Sequence, residues 1–317
     1  MATSTVRPHA GQSEHSPLIR TSPEELDRIR SGHHQKSGPN YGRIAGRVGF
    51  WILIVFIMLY TLFPFYWAIV SSLKTSQELV QSPPTFWPEE VTWQNYENVF
   101  SNSSLMMGLR NSAIVSGTVV LLSIFLGTVA AYAMGRMNFR GRTPILYLIL
   151  SMTMFPGVAI LGSLFNLMRI FNAFNTLWGL VIVYLTFSLP FTIWVLTNFF
   201  RAMPGDLEEA ALVDGATPLQ ALRQVLMPLA IPGIVTTGLL AFIEAWSEFL
   251  FARSFTLTDS AKTVQVAISE ITGNQQYEVP FGTIMAAAVV VTVPLLVGVL
   301  LVQRRIIAGL TAGAVKG

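Results

Sequence analysis

Five stretches of this chain run for 25 residues or more without a charged side chain. They lie between Arg47 and Lys74, Arg110 and Arg136, Arg142 and Arg169, Arg169 and Arg201, and Glu278 and Arg304. About 20 helical residues cross a hydrocarbon core of roughly 30 Å, so each stretch is long enough to span a membrane. A sixth, between Arg223 and Arg253, is interrupted only by Glu244 and Glu248. A soluble helical protein needs polar flanks every few turns and would not repeat such runs five times. The expected fold is an all-α integral membrane protein with six transmembrane helices, at about 49–72, 109–134, 145–168, 176–200, 230–252 and 282–303.

Composition removes several functions. Charged residues make up 12% of the chain, against about 25% in an ordinary soluble domain. There is no cysteine, hence no disulfide, thiolate nucleophile or thiolate metal ligand. All four histidines, His9, His15, His33 and His34, precede the first span, which leaves none for a catalytic base or metal site in the body of the protein. No Gly-x-Ser-x-Gly elbow is present either, so no catalytic constellation and no metal site are assigned. The small net positive charge fits membrane topology and gives no reason to expect a nucleic-acid partner.

Three regions are expected. Residues 1–48 form a tail whose first 40 are rich in Ser, Pro, Gly, His and charge and have the composition of a disordered segment, with a short helix able to start at Ser22-Pro23. Residues 49–303 form the membrane domain, and residues 304–317 a second tail. No signal-peptide core lies near Met1, so the first span is expected to stay as an anchor. Seven Lys and Arg precede that span, whereas only Lys74 is counted in the loop after it. Arg136, Arg140 and Arg142 mark the next loop, Arg201 and Arg223 flank a later one, and Arg304, Arg305 and Lys316 follow the last span. Alternate loops are basic, which places both termini in the cytoplasm. Trp87 and Trp93 suit the headgroup level on the opposite side. Pro64, Pro156, Pro190, Pro232 and Pro294 fall in or beside the spans, as packing kinks or as hinges.

The loop between the fourth and fifth spans is the most informative segment. Gly205-Asp206 can break the chain and cap a helix. Leu207, Ala210, Ala211 and Val213 give that helix an apolar side, while Glu208, Glu209 and Asp214 are polar. Gly215 can take a left-handed conformation and end it. A second short helix is expected from Pro218 to about Leu226, before Met227-Pro228 leads back into the membrane. A small Ala-rich helix held against a bundle suits another protein's groove.

Glu209-Ala210-Ala211, three residues, Gly215 and then Leu226-Met227-Pro228 resemble the EAA loop of importer permeases of the ATP-binding-cassette superfamily. Leu189-Pro190-Phe191, Trp246-Ser247-Glu248-Phe249 and the segment from Gln303-Arg304-Arg305-Ile306 to Gly317 are similar to the maltose-type subfamily, and within it to the smaller, G-type subunit. Ser247 stands where that subfamily is expected to have Asn, and the tail 1–40 is longer than in short-tailed relatives. The resemblance implies the type I importer permease fold in the bacterial inner membrane and a sugar or glycoside cargo. It implies a second permease, two ATPase subunits that bind the ATP and Mg, and an external solute-binding protein. Glu208, Glu209, Ala210, Ala211, Asp214, Gly215 and Pro228 would then form the ATPase-docking loop, and Thr311, Gly313 and Lys316 a C-terminal contact with the ATPase. The chain has no G-x-x-x-x-G-K-[ST] loop of its own and no cofactor is expected on it.

Glu244 and Glu248, four apart with Ser247 beside them, would share one helix face in the outer half of the fifth span. A carboxylate facing lipid costs at least about 2.5–3.5 kcal/mol, so both should face the bundle or water. They could be ligands for sugar hydroxyls, a structural pair with Arg253 or another polar group, or a proton-coupling site. That last reading defines the competing function, a proton-coupled secondary transporter, which would more often show paired broken helices in an internal repeat.

Overall fold

The computed structural model describes Glu24 and residues 41–271 and 280–314, so most of the expected start of a helix at Ser22-Pro23 lies outside the described residues. The chain divides into two units at Leu62 and Phe63. The first contains most of helix α1 (Tyr41–Ser72), whose side chains from Val48 to Leu62 include Phe50, Trp51, Ile52, Phe56, Leu59 and Tyr60, all exposed. Apolar residues on every side of a helix require an apolar solvent, and a bilayer supplies one.

The second unit holds the end of α1 and every later element. The first of these are α2 (Ser76–Leu79), α3 (Gln94–Ser101), α4 (Ser103–Arg136), α5 (Arg142–Met152), α6 (Gly157–Ile170) and α7 (Leu177–Ala202). They are followed by α8 (Asp206–Val213), α9 (Pro218–Ala221), α10 (Met227–Ser247), α11 (Leu250–Phe255), α12 (Val264–Ile271) and α13 (Phe281–Ala314). No strand occurs among the described residues. Among the described residues, five helices are long and apolar enough to cross a membrane, and the bent pair α5–α6 brings the number to six if it counts as one span.

That pair corrects the expected continuous span at 145–168. α5 and α6 meet at 94° across the break between Met152 and Gly157. Pro156 has no N–H to donate, and it pushes Phe155 out of the helical region. The chain closes α5 with short bonds, Thr153 N to Leu150 O (3.0 Å) and Met154 N to Ser151 O (3.1 Å), then starts again. The expected span at 230–252 is also divided. α10 stops at Ser247, Glu248 is extended (φ −70°, ψ 130°), and α11 starts two residues later. α13 continues past Gln303 to Ala314, so the first part of the expected C-terminal tail is helical.

The core is built where α4 lies along α7. Lipid tails are as apolar as Leu, so helices in a bilayer gain little from hydrophobicity alone and associate through close contact and interhelical hydrogen bonds. The contact surface accordingly places small and polar residues among its apolar ones. Ser123 Oγ and Ser188 Oγ are 2.8 Å apart and both buried, and a Cβ on Gly127 would come within 2.6 Å of Thr192 Cγ2. α10 packs on both helices, with Gly233 against the Phe199 ring and Gly238 against Ile124.

At the end where α7 and α13 begin, side-chain amides hold the loops. Asn95 Nδ2 donates to Ser72 O (3.0 Å) and Lys74 O (2.9 Å), and Asn111 Nδ2 to Asp259 O (3.0 Å) and Lys262 O (2.9 Å). Lys74 and Glu78 form a buried ion pair at 3.6 Å, joined by Thr85. Burial pushes the Glu78 carboxyl up, but donation from Thr85, the Glu89 N–H and Lys74 outweighs it and leaves the pKa below the ordinary value.

Gly127→Val should therefore lower thermal stability of the purified subunit by about 1–3 kcal/mol, the usual cost of overpacking. Leu121→Val, at a position 71% exposed on the same helix, should not. Equal unfolding midpoints for the two variants would contradict this account of the α4–α7 contact.

Candidate functional site

The expected two-helix loop is present between α7 and α10. Asp206, Glu208 and Glu209 occupy the first turn of α8, where carboxylates favour the helix dipole. Gly205 differs from expectation. It is right-handed (φ −63°) and no side chain caps the helix, so the break comes one step earlier, at the extended Met203. Gly215 is left-handed (φ +88°). Its N–H bonds Leu212 O (3.1 Å) and that of Ala216 bonds Ala211 O (3.0 Å), the paired closure of a Schellman motif. A capping box between Thr217 and Gln220, with Pro218 in the first turn, starts α9.

The expected stop near Leu226 is absent. A π-helical turn, Leu222–Leu226, joins α9 directly to α10. Wider i→i+5 bonding just before Pro228 accommodates a residue that cannot donate in an α ladder. This turn is the loop's apolar anchor. Leu222, Leu226 and Ala230 are buried with Ala131, Tyr132, Leu196 and Phe200 of α4 and α7.

α8 has no buried residue of its own and is held by polar contacts. Tyr132 Oη donates to Glu208 Oε1 at 2.7 Å, and Arg136 Nε lies 3.6 Å from Glu208 Oε2. Arg136 Nη2 also donates to Met203 O (3.1 Å) and Pro204 O (3.2 Å). Glu208 thus points inward as a strap to α4, whereas the sequence grouped it with the outward docking residues. Tyr132 and Arg136 were not singled out as partners: Arg136 counted only as a topological charge, and nothing in the pattern distinguished Tyr132. Glu209, Ala210, Asp214 and Pro228 are exposed, and Ala211 is half-buried. Leu207, Leu212, Val213 (87% exposed) and Leu219 (70%) give this surface an apolar character. Thr311 and Gly313 lie on the last turns of α13, and Lys316 is outside the described residues, as are the four histidines.

Glu244 and Glu248 do not share a helix face, because the chain leaves the helix between them. Glu248 Oε1 accepts from the Phe251 N–H (2.8 Å), while Oε2 accepts from the Ala252 N–H (3.0 Å) and Tyr184 Oη (2.7 Å). The carboxylate fills the donors exposed by the break and caps α11. Arg253 is not its partner and pairs with Glu270, which also meets Lys262 at 2.8 Å. The Lys262 pKa is raised, first by its hydrogen bond to Glu270. Trp246 is buried, its Nε1 donating to Val291 O at 3.2 Å. Glu244 and Ser247 are exposed, and Glu244 makes no hydrogen bond or ion pair among the described residues. No group of three His, Cys, Asp or Glu able to hold a metal occurs among those residues.

Membrane-length helices, two of them joined by a loop that carries a short, Ala-containing helix with no buried residue, define a multi-span membrane component. Residues 123–311 match the family described as binding-protein-dependent transport system inner membrane component, and the chain belongs to that family. It is 43% identical over 274 residues to the trehalose transport system permease protein SugB of Mycobacterium tuberculosis, covering 86% of this chain and 99% of that one. It is 41% identical to the sulfoquinovosyl glycerol transport system permease protein SmoH of Agrobacterium fabrum (81% and 89% covered). Identity to the trehalose/maltose transport system permease protein MalG of Thermococcus litoralis is 39% (81% and 92% covered). The fold is that of a chain in a bacterial ABC transporter that imports alginate (TM-score 0.74, 22% identity, 84% and 98% covered).

Glu248→Ala leaves two N–H groups and a buried hydroxyl without their acceptor and should destabilise the subunit by about 1–3 kcal/mol. Arg253→Ala, at an exposed ion pair, should change stability by less than about 1 kcal/mol. Thermal unfolding in detergent distinguishes them, and a larger loss for Arg253→Ala would restore the Glu248–Arg253 pairing.

Proposed function

We propose that this chain is one permease of a heteromeric carbohydrate importer and that its cytoplasmic loop is the docking element for a separate ATPase. The observation that carries this reading is α8, an exposed Glu-Ala-Ala helix closed by left-handed Gly215 and strapped to the membrane bundle by Glu208. A second permease completes the path, two ATPase subunits bind ATP and Mg, and an external binding protein delivers the solute. Lys and Arg asymmetry supports cytoplasmic termini. Relatives named for trehalose, maltose and sulfoquinovosyl glycerol point to a di- or oligosaccharide or a glycoside as cargo.

The mechanics follow from the contacts. A groove closing on α8 moves a helix that has little freedom of its own. Glu208 passes the displacement to Tyr132 and Arg136 at the end of α4. Leu222 and Leu226 pass it to the α4–α7 pair, and the π turn passes it into α10. Packed interfaces switch between discrete arrangements, so a small push at the loop can re-aim whole spans. The proton-coupled carrier loses its basis, because Glu248 is committed to capping and Glu244 has no titratable neighbour on its face.

Gly215→Val, Ala211→Trp and Glu209→Lys should each abolish coupled uptake while the subunit still inserts. At Gly215 the reason is backbone strain, since a Cβ there would meet nothing within 4 Å. At Ala211 it is overpacking of the groove, about 1–3 kcal/mol, and at Glu209 a lost buried charge contact, about 2–5 kcal/mol. The measurement is ATPase retention on purification together with binding-protein-stimulated hydrolysis. Normal values for all three variants would reduce α8 to a solvated linker.

A further inference from the structure

Glu244 is a charged side chain in an apolar span with no partner in its own chain, and its depth can be read from its neighbours. Tyr184, which binds Glu248, lies seven residues into α7, about 10 Å from that helix's start. Glu244 is four residues deeper along α10, about 6 Å more. It therefore lies roughly 16 Å inside α7, whose 26 residues run about 39 Å. This is close to the midpoint of α7, on the side where that helix begins. Independent support comes from Trp246, two residues on, which bonds Val291 ten residues into α13.

At that depth a carboxylate facing lipid is unfavourable by at least about 2.5–3.5 kcal/mol, and Glu244 is too far from either end to reach the headgroups. Its surroundings on α10 are not those of a lipid face. Ser247 is exposed one turn on, and Thr236 is partly exposed two turns back. Leu240 completes the stripe, which ends toward Leu229 where Gly233 packs on Phe199 of α7.

We infer that this stripe of α10 lines the water-filled path and that Glu244 is a charge filter within it. The carboxylate accepts hydrogens from the hydroxyls of a neutral polyhydroxylated solute and repels fixed negative charge. The cargo class is accordingly neutral carbohydrate, and anionic sugars such as sulfonates and uronates are selected against. This inference rests on the permease reading, which partner-dependent uptake by the cysteine-free parent tests separately.

The absence of native cysteine makes a direct test possible. Single cysteines at Ser247, Leu240 and, as a control on another face, Leu121 are placed in the complete transporter, assembled with cysteine-free partners. Each is treated with methanethiosulfonate reagents bearing either a trimethylammonium or a sulfonate group. Ser247→Cys and Leu240→Cys should react and Leu121→Cys should not. The cation-to-anion rate ratio at Ser247→Cys should fall about tenfold when Glu244→Gln is added, the effect of one unit charge a helical turn away in water. A Ser247→Cys that is inert in the complex yet reactive in the isolated subunit would mean that a second subunit covers the stripe, and would overturn the inference. Equal reactivity at Leu121→Cys, or a ratio insensitive to Glu244→Gln, would overturn it as well.

Discussion

The carboxylate of Glu208 holds the loop helix α8 to the membrane bundle. α8 buries no side chain and would otherwise hang from the bundle by its two ends. Tyr132 and Arg136 reach Glu208 from the last turns of α4, and Arg136 also gathers the carbonyls of Met203 and Pro204 that lead into the loop. The Tyr132–Glu208 hydrogen bond is short and charge-assisted, and Arg136 adds a longer electrostatic contact at 3.6 Å. Below the strap, Leu222 and Leu226 of the π turn enter the same corner formed by α4 and α7. α8 and the π turn are thus both attached to the α4–α7 pair.

The interior follows from one rule of the bilayer, that every backbone polar group must find a partner. Where the spans are intact, the helix satisfies its own groups and packing is left to small residues, as at Ser123–Ser188 and Gly127–Thr192. Where they break, the chain supplies substitutes. Short i→i−3 bonds close α5 ahead of Pro156, and Glu248 caps α11 with both oxygens while binding Tyr184. The break at Glu248 is thus structural, and one turn before it Glu244 is exposed and has no partner among the described residues.

Much of this was legible in the chain. The uncharged runs located the long helices because charge is costly in hydrocarbon, but not all their ends: α1 begins eight residues before the expected span, α4 six before, and α13 runs eleven past it. The loop could be read from Gly215 and the helix start at Pro218, since left-handed closure and a first-turn proline depend on local chemistry alone, whereas the Thr217–Gln220 capping box was not foreseen. Two kinds of feature were not legible. Helix breaks depend on competition between local and tertiary partners: Pro156 breaks its span while Pro190 and Pro232 remain inside helices. Pairings across the fold were also hidden. Glu208–Tyr132 joins residues 76 apart, and Glu248 met Tyr184 although Arg253 was nearer in sequence.

The central claim is that α8 sits in a groove of an ATPase on the cytoplasmic side and moves with it. Ala211→Cys, in a chain with no other thiol, tests that claim most directly when cross-linked to single cysteines lining the ATPase groove in membranes of intact composition. A zero-length disulfide should form in high yield, survive in both nucleotide-free and ATP-bound states, and block uptake only when the linked residues are those that separate during closure. The same cysteine should resist impermeant thiol reagents applied to intact cells. Absence of cross-linking at every groove position, or labelling of Ala211→Cys from outside the cell, would contradict the account.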